Sequence, residues 1–179
     1  MGEVRYLIVD ARYEKSRIGG VVRDVAVLSA IGIGSDQRRR VLGVSVALSE
    51  AEAHWRAFLE SLQDRGMRGV RYVVSDDPAG LQAARKAVLG GATWQRCQFH
   101  LAQNAIHHAP SMAIRKRIGV ELRHIWNAPD LDSANENLRR LVESYHDTAP
   151  KLAAWLEDNV LEGLAVFTLP EHHRRRLRT

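Results

Sequence analysis

With 179 residues, 45% of them apolar and 26% charged, the chain has the size of one globular domain with room for a modest insertion. Its single cysteine, Cys97, excludes an internal disulfide and a thiolate-rich zinc site and fits a reducing interior such as the cytoplasm. No run approaches the roughly 18 apolar residues of a membrane span, so no membrane partner is expected. The net charge of +5 favours a polyanionic partner, because Lys and Arg neutralise phosphates and release counterions.

The elements follow in chain order. Tyr6-Leu7-Ile8-Val9 reads as a short buried strand that stops at Asp10. Val21 to Ile33, rich in Val and Ile, reads as a second strand. After the turn cluster Gly34-Ser35-Asp36-Gln37, Arg40 to Leu48 reads as a third, and the short loop favours an antiparallel hairpin. Ser49 with Glu52 three positions on suggests a capping box. It opens a helix whose Trp55, Phe58, Leu59 and Leu62 form one apolar stripe, with Gly66 as the stop. Val70 to Val74 is a fourth strand ending at Ser75-Asp76-Asp77. Pro78 suits the first turn of a second helix, which Gly90-Gly91 ends, and Thr93 to Cys97 is a short fifth strand. Beyond Phe99 the pattern is helical, with stripes through Ile118 and Leu122, Leu138 and Leu141, and Leu152 and Leu156. The chain ends in a basic run from His172 with no evident helix or cap.

Three antiparallel strands followed by a crossover helix place the fourth strand parallel to and beside the first. Both strands then end in a carboxylate, Asp10 and Asp76. Neighbouring carboxylates are hard oxygen donors that suit Mg²⁺ or Mn²⁺, and paired metals support in-line displacement at phosphorus. Each also has a plainer reading. Asp76 or Asp77 ahead of Pro78 suits a helix cap, and Asp10 could serve structure alone, although a charge is costly where an apolar strand could continue. Cys97-x-x-His100 is an incomplete metal motif. On residues alone, Cys97 reads as a small buried hydrophobe and His100 as a hydrogen-bonded core residue.

Tyr6-Leu7-Ile8-Val9-Asp10-Ala11-Arg12-Tyr13-Glu14-Lys15 resembles the first catalytic block of the Mutator-type transposases of bacterial insertion sequences. Val41-Leu42-Gly43-Val44, Ser49 to Trp55, Val74-Ser75-Asp76 with Gly80-Leu81, and Trp94-Gln95-Arg96-Cys97 with His100 continue the resemblance in order. It implies an α/β, ribonuclease H-like mixed sheet, three antiparallel strands plus parallel strands, with a C-terminal all-helical insertion domain. The core would occupy residues 1–110, the insertion 111–168 and a basic end 169–179. It implies a DDE-type enzyme that cuts and joins double-stranded DNA, at element ends and target, with Mg²⁺ or Mn²⁺. Asp10 and Asp76 would be the first two metal-holding catalytic acids, and Cys97 and His100 active-site neighbours. A homo-oligomer, and a bacterial cytoplasmic, nucleoid-associated setting, go with it. The family's third acid, a Glu, would follow Thr179, so the chain is expected to be a truncated core with little or no activity of its own. Neither Glu162 nor Glu171 matches that motif. Asp77-Pro78 departs from the small residue and His that relatives carry there. The rival readings are a non-catalytic remnant that binds DNA or an intact transposase, and another ribonuclease H-like nuclease.

Overall fold

The computed structural model describes residues 1–177. The chain divides into two compact units, Met1–Trp94 and the residues from Gln95 on. The first begins with β1 (Gly2–Glu3), β2 (Tyr6–Ile18), β3 (Val21–Ile33) and β4 (Arg39–Ala47). It continues through α1 (Glu52–Asp64), β5 (Met67–Arg68), β6 (Tyr72–Ser75) and α2 (Ala79–Leu89) to β7 (Thr93–Arg96), within which the division falls. Five strands form a mixed sheet in the order β4-β3-β2-β6-β7. β2, β3 and β4 make the expected antiparallel meander, and β6 returns parallel to β2. β1 and β5 pair separately.

Side-chain alternation sorts the sheet. Leu7, Val9, Ala26, Leu28, Ala30 and Val73 share a core with Trp55, Phe58, Leu59 and Leu62 of α1 and Leu81 and Ala84 of α2. Residues in the other register, Tyr6, Ile8 and Asp10, point to the opposite face. On that face β4, an edge strand, exposes Val44 and Val46.

Two sequence expectations need correction here. β2 does not stop at Asp10. It runs on to Ile18, paired residue for residue with β3 as far as Ile18↔Val21. The two-residue turn Gly19-Gly20 has φ of 58° and 83°, the doubly positive pair of a type I′ hairpin that glycine adopts without steric cost. Nor does Ser49 cap α1. The N-cap is Ala51, with no side-chain cap bond. The carbonyl of Ser49, three residues before the helix begins, lies 2.9 Å from Nδ1 of His54 in its first turn.

The second unit is helical: α3 (Gln98–His108), α4 (Met112–Trp126), α5 (Leu131–Tyr145) and α6 (Pro150–Asn159). Two 3-10 turns follow (Val160–Gly163 and Ala165–Thr168), and then α7 (Glu171–Leu177). α3 belongs to this unit because Leu101 and Ala105 lie in one core with Ile118, Leu122, Leu138, Leu152 and Leu156. The unit therefore starts before residue 111, the first residue of the helical segment read from sequence. α4 and α5 are capped by Ser111 and Asp130, whose side chains accept from the backbone N–H of Ile114 and Ser133. The basic end, expected to lack a helix, forms α7 through Leu177; Arg178 and Thr179 lie outside the described residues.

Tyr145 closes α5 against α4, donating its hydroxyl to Glu121 at 2.6 Å. Burial first, and then that carboxylate, push its pKa up from 10.0 to about 12. A group whose pKa is raised on folding stabilises fully below its unfolded pKa and loses that contribution as pH rises through the folded one. Stability should therefore fall between pH 10 and about 12. In Tyr145→Phe the fall should be smaller. Urea midpoints measured across that window check it.

Candidate active site

The first unit holds Asp10 and Asp76; the second holds Cys97 and His100. β2 and β6 pair in parallel as Tyr6↔Tyr72, Leu7↔Val73 and Ile8↔Val74. Asp10 and Asp76 each lie two residues past the last of these pairs, Asp10 still within β2 and Asp76 one residue beyond the end of β6. The rings of Tyr6 and Tyr72, at the start of the same ladder, meet edge-on at 6.3 Å. Asp10 is exposed within β2, while Asp76 directly follows β6, half-buried, with its Oδ1 buried.

Both aspartates have their backbone fixed by a neighbouring hydroxyl. Ser29 of β3 donates to the carbonyl of Asp10 at 3.2 Å, and Ser75 donates to the carbonyl of Asp76 at 2.7 Å. Ser75 is buried, and its oxygen accepts from the indole N–H of Trp94 at 2.9 Å. The guanidinium of Arg85 lies over the Trp94 ring, 5.2 Å from its centroid. Burial lowers the Arg85 pKa, and the charge of Asp77 opposes that shift. Arg85 donates to Gln82, which in turn donates to Asp77. A chain of polar contacts thus runs from Asp77 through α2 and β7 back to the backbone of Asp76.

The N-cap of α2 is Pro78, with no side-chain cap bond, and Asp77 accepts from the side-chain amide of Gln82 at 2.6 Å. Ser29, Gln82 and Arg85 escaped the sequence reading, and Ser75 and Trp94 entered it with no role assigned. The available signal was Trp94, since a half-buried indole N–H calls for an acceptor.

Cys97 is buried at the N-cap of α3. His100 lies in its first turn, its Nδ1 buried and its ring 5.5 Å from that of Phe99. Amide and charged side chains tie the surrounding backbone down. Gln95 accepts from the N–H of Val166 at 2.5 Å, and Gln98 donates to the carbonyl of Gly163 at 2.9 Å. Arg96 donates to Asn159 and to Glu162. Glu162 is thereby engaged in an ion pair within the second unit.

Among the described residues no group of three or more His, Cys, Asp or Glu side chains gathers as a metal would require. The Asp10 and Asp76 carboxylates are nonetheless the hard oxygen donors that Mg²⁺ prefers, and that ion keeps several waters and takes ligands from a phosphate. The donor chemistry fits such an ion. Among the described residues no helix is long and apolar enough to cross a membrane.

Comparison with known proteins agrees with the sequence reading. Residues 3–179 match the model of a transposase family, the Mutator family. The transposase for insertion sequence element IS406 of Burkholderia multivorans is 50% identical over 179 residues, covering all of this chain and 46% of that protein. The ISRM5 transposase of Rhizobium meliloti is 42% identical over 174 residues, covering 97% of the chain and 44% of the relative. The chain thus spans about half the length of the curated relatives it matches. The Drosophila P element transposase, in a strand transfer complex, gives a TM-score of 0.37 at 12% identity over 85% of this chain and 48% of that one, a likeness too slight to weigh. With nearly every residue matched by the family model and half of all positions shared with one full-span relative, the chain belongs to the Mutator family of transposases.

Proposed function

We propose that this chain carries a ribonuclease H-like catalytic core of a transposase that cuts and joins double-stranded DNA, with Asp10 and Asp76 holding a divalent metal. One observation carries the reading. The parallel pairing of β2 and β6 ends at Ile8 against Val74, and Asp10 and Asp76 each follow two residues later on their own segments. Sheet order and strand direction support the fold assignment: an antiparallel meander with a parallel strand added beside its first member. On this reading the helices within residues 111–168 form an insertion that follows the second acid.

A bound Mg²⁺ or Mn²⁺ would supply Lewis-acid stabilisation of the charge that develops on phosphate oxygens. Asp10 and Asp76 would hold it, with the Asp76 carbonyl kept in place by Ser75 and Trp94. A basic chain, net +5, would hold the DNA backbone by contacts that position it without reading sequence.

Ferrous iron in place of magnesium, with ascorbate and peroxide, tests the shared site directly, because hydroxyl radicals cut the polypeptide close to bound iron. Cuts beside both Asp10 and Asp76, lost in Asp10→Asn and in Asp76→Asn, are expected. Cuts beside one aspartate only, or beside neither, would overturn the reading.

A further inference from the structure

The first unit has a feature that its core does not explain. β2 and β3 pair over 13 positions each, but β6 accompanies β2 only from Tyr6 to Ile8, and β4 accompanies β3 only from Ala26 to Ile33. Residues 14–18 and 21–25 therefore form a two-stranded arm without a third strand, and Arg12 sits at its base, where β3 still pairs with β4. The arm is exposed except for half-buried Ser16 and buried Val25. Such a ribbon is marginal on its own, and five residues of strand reach about 17 Å.

The arm's chemistry is basic and ordered by face. It carries Arg12, Lys15, Arg17 and Arg23 against Glu14 and Asp24. Lys15 stands opposite Asp24 across the ladder. Arg17 donates to the carbonyl of Gly20 in the turn. Arg12 pairs with Glu14, both well exposed, an arrangement worth little in water and readily exchanged for another anion. Arg23 stands opposite Ser16 and has no ion-pair partner among the described residues. Alternation puts Arg12, Ser16 and, across the ladder, Arg23 on the same face as Asp10. From Asp10, Arg12 is about 7 Å along the strand and the level of Arg23 about 20 Å. That face also carries Glu14, which pairs with Arg12, so it presents two arginines against one carboxylate and is net cationic beyond Asp10.

We propose that this arm lies along the backbone of a DNA duplex, Arg12 and Arg23 each contacting a phosphate near the one held at Asp10. The inference rests on the DNA reading above and adds the surface that grips the duplex. A two-stranded ribbon has the width that the major groove admits. Charge complementarity selects the polyanion over a second copy of this chain, whose arm would bring like charges together.

Fluorescence anisotropy of a labelled random-sequence duplex, titrated with the chain at several salt concentrations, tests it. Each phosphate contact contributes about 0.9 to the slope of log affinity against log salt. Arg12→Ala with Arg23→Ala should make that slope shallower by about 1.8, and the Lys double variant should restore it. Arg139→Ala, within the charged network of α5, should leave it unchanged. Circular dichroism and a melting curve establish that each variant is folded. A double Ala variant that is folded and keeps the wild-type slope overturns the arm proposal while leaving the DNA reading intact. A wild-type chain that binds no duplex at low salt overturns both.

Discussion

Manganese at a hundred times its Kd is expected to raise the melting temperature of this chain by about 5–10 °C, and Asp76→Asn or Asp10→Asn is expected to erase that gain. A ligand that binds only the folded state stabilises it by about 2.7 kcal/mol at that concentration. Each kcal/mol is worth about 2–4 °C at this chain length. Melting without metal is the control that separates lost ligation from lost folding. A wild type indifferent to manganese, or variants that keep the full gain, would contradict a cation shared by Asp10 and Asp76. Calorimetry with and without metal makes both comparisons in one series.

The second large effect is expected at Gly80. In a helix, Gly→Ala ordinarily stabilises by about 0.5–1 kcal/mol. At Gly80 a Cβ would fall 2.2 Å from the carbonyl oxygen of Glu50 and 2.8 Å from the backbone nitrogen of Glu52. Both contacts are backbone at the entry to α1, so no rotamer change relieves them and α2 must be displaced. Gly80→Ala should therefore destabilise by about 1–3 kcal/mol. It should also weaken manganese binding, because α2 starts immediately after Asp76-Asp77-Pro78. Gly119 in α4 is the contrast. A Cβ there meets nothing within 4 Å, so Gly119→Ala should follow the ordinary rule and stabilise. Urea unfolding of the two variants should give opposite signs.

These predictions show what periodicity carries and what it does not. The stripe Trp55, Phe58, Leu59 and Leu62 was legible because a helix that buries one face must repeat its apolar residues near 3.6, and all four are buried. The β2–β6 adjacency was legible because a crossover connection leaves few places for a returning strand. The far half of β2 was not. Arg12 to Arg17 buries neither face, so no alternation marks it as strand. Its conformation comes from pairing with β3 and from the Gly19-Gly20 turn. The cap of α1 misled for a related reason: Ser49 and Glu52 have capping-box spacing, yet His54 meets the Ser49 carbonyl first.

At the site, residue type and chain order pointed to Asp10 and Asp76. They could not show that Ser29 and Ser75 would hold the two carbonyls, or that Trp94 would hold Ser75. The Ser29–Asp10 and Trp94–Ser75 contacts each join residues 19 positions apart and exist only once the sheet has assembled.

The outer strand β4 has a consequence for handling the protein. It offers an open row of amide and carbonyl groups beside exposed Val44 and Val46, the kind of margin along which chains stack into aggregates. Arg38, Arg39 and Arg40 stand at its entry, Arg40 held by Asp36, and two such margins meeting in parallel would bring their arginines together. That guard is purely coulombic and fades as added salt shortens the Debye length, so colloidal behaviour at this margin is governed by ionic strength.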